Sequence, residues 1–212
     1  MSRKHVIITG TGRAGTSFLV ELMTHLGLET GYEVDDIAKH KSKAARAGLE
    51  HDIRRDDAPY IVKSPWFCDY AAEVLEREDI QIEHAFIPMR DLQAAAESRR
   101  HVTNETVASM SFLKRLRYYW RPATLAGGMW PMNSGSSQEA LLLDKLYNLV
   151  LTLSSSTIPV TLLRYPLLTD DSLYLYAKLQ PILNGIGFEE FDATFSRVAN
   201  PSLVHSFSAN DR

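Results

Sequence analysis

Residues 5–19 read His-Val-Ile-Ile-Thr-Gly-Thr-Gly-Arg-Ala-Gly-Thr-Ser-Phe-Leu. An apolar run leads into three glycines, a cation and two hydroxyls. Gly10, Gly12 and Gly15 match G-x-G-x-x-G, whereas Gly10, Gly15 and Ser17 nearly match G-x-x-x-x-G-K-[ST]; both patterns cradle phosphate. A dinucleotide site needs a second buried strand ending in an acid about 20 residues beyond the glycines. Asp35 stands at a tolerable distance, but the intervening GLETGYEV is broken by two glycines and two glutamates. A triphosphate loop needs a lysine where Thr16 stands, and a strand ending in an acid to hold magnesium for phosphoryl transfer. The later strands end in Arg90 and in Tyr165-Pro166 instead, so a magnesium-dependent ATP kinase for small molecules is the second reading. The third makes Arg13 the working cation. Backbone N–H groups at a helix N-terminus, two hydroxyls and a permanent fork-shaped charge bind a 5′ phosphate group without a metal.

These residues need a scaffold, and the pattern along the chain supplies one. Residues 5–10 predict a buried strand, and Phe18, Leu19, Leu22, Met23 and Leu26 recur at helical spacing before Gly27. Residues 35–48 predict an exposed helix, 59–65 a short strand and 68–77 a helix. A strand within 80–90 and a helix over 91–102 follow. The arginine- and aromatic-rich stretch 108–121 predicts an amphipathic helix with Phe112, Leu113, Leu116 and Tyr119–Trp120 on a buried face, and Lys114, Arg115 and Arg117 in solvent. Residues 127–137 are loop-like, 138–153 a long helix, 158–166 the last strand and 171–184 a helix. Strands alternating with helices give a parallel sheet covered on both faces. The expected fold is α/β, a single P-loop-type three-layer domain over residues 1–212, with acceptor-pocket or lid insertions near 30–58 and 103–137.

The spaced motifs resemble those of the PAPS-dependent sulfotransferases, which use 3′-phosphoadenosine 5′-phosphosulfate. Their [KR]-[ST]-G-T-[TS] loop corresponds to Arg13-Ala14-Gly15-Thr16-Ser17, and their strand-end arginine followed eight positions later by a serine corresponds to Arg90 and Ser98. IVKSPWF resembles the family's Lys-x-His or Lys-x-Pro strand end, and VTLLRYP its late Arg-Tyr strand. The resemblance implies that Gly12, Arg13, Ala14, Gly15, Thr16 and Ser17 hold the 5′ phosphate, with Arg13 offsetting charge as the bridging oxygen leaves. It further implies that Arg90 and Ser98 hold the 3′ phosphate, Lys63 lies beside the sulfuryl group and Tyr165 near adenine. The cofactor would be PAPS, the product PAP, and no metal would take part. A hydroxyl or amine acceptor would receive the sulfuryl group by in-line displacement.

Departures from the family narrow the branch. Ala14 replaces the usual serine, Pro65 the catalytic histidine of cytosolic members, and Pro166-Leu167 their Glu-Asp. Arg13 and Lys63-x-Pro65 resemble the tyrosylprotein and bacterial branch, whose base is a glutamate beyond the first helix. That implies Glu33 as base, with His40 and His51 behind it. A catalytically degenerate PAP-binding protein is the non-enzymatic alternative. Composition bounds the rest. A net charge of −3 argues against a general nucleic-acid binder. The lone Cys68 excludes an intramolecular disulfide and suits a reducing, cytoplasmic setting. No apolar run reaches the roughly 20 residues of a membrane span or forms a signal-peptide core. The histidines show no metal-binding spacing.

Overall fold

The computed structural model describes residues 2–41, 48–120, 130 and 137–199. Four strands, β1 (Arg3–Ile8), β2 (Ile61–Lys63), β3 (Ile80–Met89) and β4 (Val160–Arg164), form one sheet in the order β2-β1-β3-β4. Every pairing is parallel. Eight α-helices are described: α1 (Thr16–His25), α2 (Phe67–Leu75), α3 (Leu92–Ser109), α4 (Phe112–Trp120), α5 (Gln138–Ser154), α6 (Leu167–Asp170), α7 (Ser172–Leu179) and α8 (Phe188–Val198).

Side-chain alternation along the strands feeds two cores. Val6, Ile8, Ile61, Phe86 and Leu163 pack with Leu19, Leu22 and Met23 of α1 and with apolar residues of α6, α7 and α8. On the other face Ile7, Val62, Ala85 and Ile87 meet Phe67, Ala71 and Val74 of α2 and Leu149 and Leu153 of α5. This is the α/β three-layer arrangement that alternating strands and helices predict. One irregularity preserves it. β3 carries an extra residue, Glu83, opposite the His5–Val6 junction, so Ile82 and Ala85 enter the same core despite their odd separation.

Several elements differ from expectation. The helix predicted over 35–48 is a 3-10 turn at Ile37–His40, followed by an antiparallel bridge between Lys41 and Gly48. Gly48 has φ +126°, and a Cβ there would lie 2.1 Å from the His40 carbonyl oxygen. The bridge depends on this glycine, and residues 42–47 of the predicted helix lie outside the described residues. α3 runs to Ser109, past the predicted 102, from an N-cap in which Asp91 accepts the Ala94 N–H at 2.8 Å. The helix predicted over 171–184 is shorter and ends in a 3-10 turn at Gln180–Ile182. α8 lies beyond the last predicted helix, with Phe188, Phe191 and Phe195 recurring at helical spacing.

Three of the five residues expected on a buried face of α4 are exposed, and the side chains of Tyr119, Trp120 and Arg117 lie outside the described residues. Phe112, Leu113 and Leu116 are 70%, 76% and 47% accessible, because no other described element packs closely on this helix. Most of the loop predicted over 127–137 lies outside the described residues. Among those described, no helix is long and apolar enough to cross a membrane.

Candidate functional site

The carboxyl ends of all four strands deliver residues to one place. β1 runs into the glycine loop, β2 ends on Lys63, Arg90 follows β3 and Tyr165 follows β4. Such ends are where ligands bind in parallel α/β sheets.

The loop is built from left-handed residues. Gly12, Arg13 and Gly15 have φ of +70°, +61° and +89°. A non-glycine residue in that region is uncommon and concentrates at functional sites. Gly15 is the N-cap of α1 and no side chain caps that helix, so its first N–H groups face the loop as an anion would need them. Ala14 is buried and brings backbone only.

The second motif holds the first. Arg90 Nη1 donates to the Arg13 carbonyl oxygen at 3.1 Å. Arg13 Nε in turn donates to Ser98 Oγ at 3.3 Å. Ser98 is 3% exposed, nearly two turns into α3. The Arg90 guanidinium also lies 4.7 Å from the centre of the Tyr165 ring, a cation–π contact. Arg90 is therefore turned toward the loop and the Tyr165 ring.

Lys63 is 2% exposed, unlike a solvated strand-end lysine. Its Nζ donates to Ser17 Oγ at 2.8 Å, to Glu50 Oε1 at 3.0 Å and to the Gly48 carbonyl. Ser17 keeps its own hydroxyl proton for a ligand. Burial holds the Lys63 ammonium below its ordinary range; Glu50 opposes that shift and Arg13 adds to it.

Comparison with protein-family models, curated proteins and solved structures returned no match. The site is therefore argued from its geometry.

Two of its members were missed in the sequence. Arg99 is fully buried next to Ser98. It donates to the Thr11 carbonyl, to Gln138 Oε1 at 3.3 Å, and lies 5.0 Å from the Trp130 ring. Burial first, and the charge of Arg13 second, push its guanidinium down to about 10. The sequence places it only within the predicted 91–102 helix, one residue after Ser98. Glu50 had no signal, because the Lys41–Gly48 return that delivers it has no period.

Glu33 is not brought to the loop. Its side chain is exposed and its carbonyl closes the turn by accepting Asp36 and Ile37 N–H at 3.2 and 3.0 Å. His40 is exposed and lies 3.6 Å from Asp36. His51 packs on Tyr32 at 4.8 Å with Nε2 buried. Asp35 lies in the exposed turn before the 3-10 helix, not at a strand end, so the strand–acid pair of a dinucleotide site is absent among the described residues.

Arg13, Lys63, Arg90 and Arg99 thus surround one loop, with Glu50 as the carboxylate hydrogen-bonded to Lys63. Two of these cations are held down partly by the charge of Arg13. A multiply charged anion would relieve that mutual repulsion.

Proposed function

We propose that the chain is a PAPS-dependent sulfotransferase. One observation carries the reading: Arg90 and Ser98, eight positions apart, both bond to Arg13 of the glycine loop. A charge and a hydroxyl meeting beside a 5′-phosphate loop suit a nucleotide with a second phosphate.

The donor set fits that cofactor. Backbone N–H groups from Gly12 to Ser17 would hold the 5′ end, Arg90 and Ser98 the 3′ phosphate, and Tyr165 would flank the base. Bound there, PAPS supplies an activated sulfuryl group for a hydroxyl or amine acceptor. Arg13 presents its guanidinium where negative charge grows on the departing oxygen. Lys63, fixed by Glu50 and Ser17, adds a second cation. The family resemblance assigns the proton acceptor to Glu33, whose carboxylate stands exposed on its turn and open to an incoming nucleophile.

Calorimetric titration decides between this and the kinase. Adenosine 3′,5′-bisphosphate should bind in EDTA, and more tightly than ATP with magnesium. Binding of ATP that requires magnesium, with none of the bisphosphate, overturns the proposal. Bisphosphate binding with no transfer from labelled PAPS to any acceptor would leave a nucleotide-binding protein without catalysis.

A further inference from the structure

The helix α4 combines three properties not used at the glycine loop. Its apolar side chains are open: Leu113 at 76% and Phe112 at 70% are the most exposed large apolar groups described. With Leu116 they lie within one arc of the helix, at 100° per residue. Lys114 and Arg115, both exposed, fall on either flank of that arc. The third property is charge segregation. Between Glu105 and Glu139 the sequence has no acidic residue and four cations, Lys114, Arg115, Arg117 and Arg121, in a chain whose net charge is −3.

We infer that α4 is a docking surface for an anionic lipid bilayer. A short helix with an apolar arc flanked by cations lies in the headgroup plane, its apolar side chains in the acyl boundary and its cations among the phosphates. A second copy fits poorly, since two-fold pairing of α4 would set Lys114 and Arg115 against themselves. An acidic polypeptide would match the cations but leave Phe112 and Leu113 in water. The inference rests on the side chains of α4 alone and is independent of the reaction proposed at the glycine loop.

Vesicle sedimentation tests it with the full chain. The protein should sediment with vesicles of equal phosphatidylglycerol and phosphatidylcholine, and far less with phosphatidylcholine alone. About 0.5 M salt should release most of it, because screening shortens the reach of the cations. Lys114→Ala with Arg115→Ala should weaken partition about tenfold or more. Phe112→Ser with Leu113→Ser should weaken it at every salt concentration. All four side chains are exposed, so an unchanged melting temperature is expected for both variants. Three results would overturn the inference: no sedimentation with the anionic vesicles, equal partition of wild type and both variants, or binding to polyglutamate without binding to any vesicle. A dimer in sedimentation velocity that the Phe112/Leu113 variant dissociates would likewise assign α4 to a second copy.

Discussion

Arg90 reaches the loop through a backbone carbonyl, so its removal has two separable effects. Arg90→Ala loses a bond to Arg13 that shapes the loop and a cation at the proposed 3′ phosphate. The first effect weakens every nucleotide; the second weakens only those with a 3′ phosphate. The extra loss for the 3′-phosphorylated ligand should be about 1.5–3 kcal/mol, read by calorimetry with and without that phosphate. Equal losses would confine Arg90 to loop support. Arg13 differs, because its proposed work is in the transition state. Arg13→Ala should lower kcat more than nucleotide affinity, and Arg13→Lys should keep part of the rate, having charge without the fork. A normal kcat in Arg13→Ala would remove it from the chemistry. Glu33 is the most exposed of these proposals. Glu33→Gln should cost about 100-fold or more in turnover with nucleotide affinity unchanged. A normal rate there, with a collapse in Glu50→Gln, would move the proton acceptor to the carboxylate that Lys63 already touches.

The junction between β1 and α1 depends on one residue lacking a side chain. Gly15 has φ +89°, and a Cβ on it would stand 2.7 Å from Leu168 Cδ1 of α6. The left-handed conformation alone costs an L-residue roughly 1–2 kcal/mol, and Leu168 must also move. Gly15→Ala should therefore lower stability to urea by at least about 1 kcal/mol and weaken nucleotide binding. In Leu168→Ala, the added cost of Gly15→Ala should shrink toward the backbone share, which a double-mutant cycle measures. Full cost in both backgrounds would show that Leu168 does not press on this position. That glycine was legible because phosphate loops impose a spacing, and β1, β3 and α1 because burial imposes a period. Elements without either constraint were not. The segment before β2 reads as helix from its alanines and charges, yet its described ends form a 3-10 turn at Ile37–His40 and a Lys41–Gly48 bridge. Glu50 and Arg99 escaped for the same reason. Each belongs to the site through a contact made across the fold, to Lys63 of β2 and to Thr11 of the loop, and no local pattern marks it. The exposed arc of α4 reverses the usual inference, since periodicity reports an apolar face but not what covers it.

Across the whole molecule, burial of neutral histidines sets how stability follows pH. His5, in β1, is 2% exposed, its Nδ1 donating to the Pro59 carbonyl at 2.7 Å. His84 is 8% exposed, stacked on Phe86 at 4.4 Å with Nε2 bonded to Thr161 at 2.8 Å. His51 packs on Tyr32 beside the site. Burial is the leading cause holding all three below 6.5, and Arg3 adds to it for His5. Above the ordinary histidine range neither folded nor unfolded chain binds these protons, and the stability is complete. As pH falls through about 6.5 the unfolded chain takes them up first. The folded state is then disfavoured by at most about 1.4 kcal/mol per pH unit for each histidine, until the folded pKa is reached. Urea midpoints should thus be level from pH 8 to 7 and fall from pH 6.5 to 5. Below that range Asp52, held low chiefly by its hydrogen bonds from Arg54, extends the loss in the same direction. His84→Asn removes one titrating group and should make the decline between pH 6.5 and 5 shallower, whatever its effect at pH 8. Midpoints constant down to pH 5 would mean that these rings accept protons in the folded chain as readily as in the unfolded one.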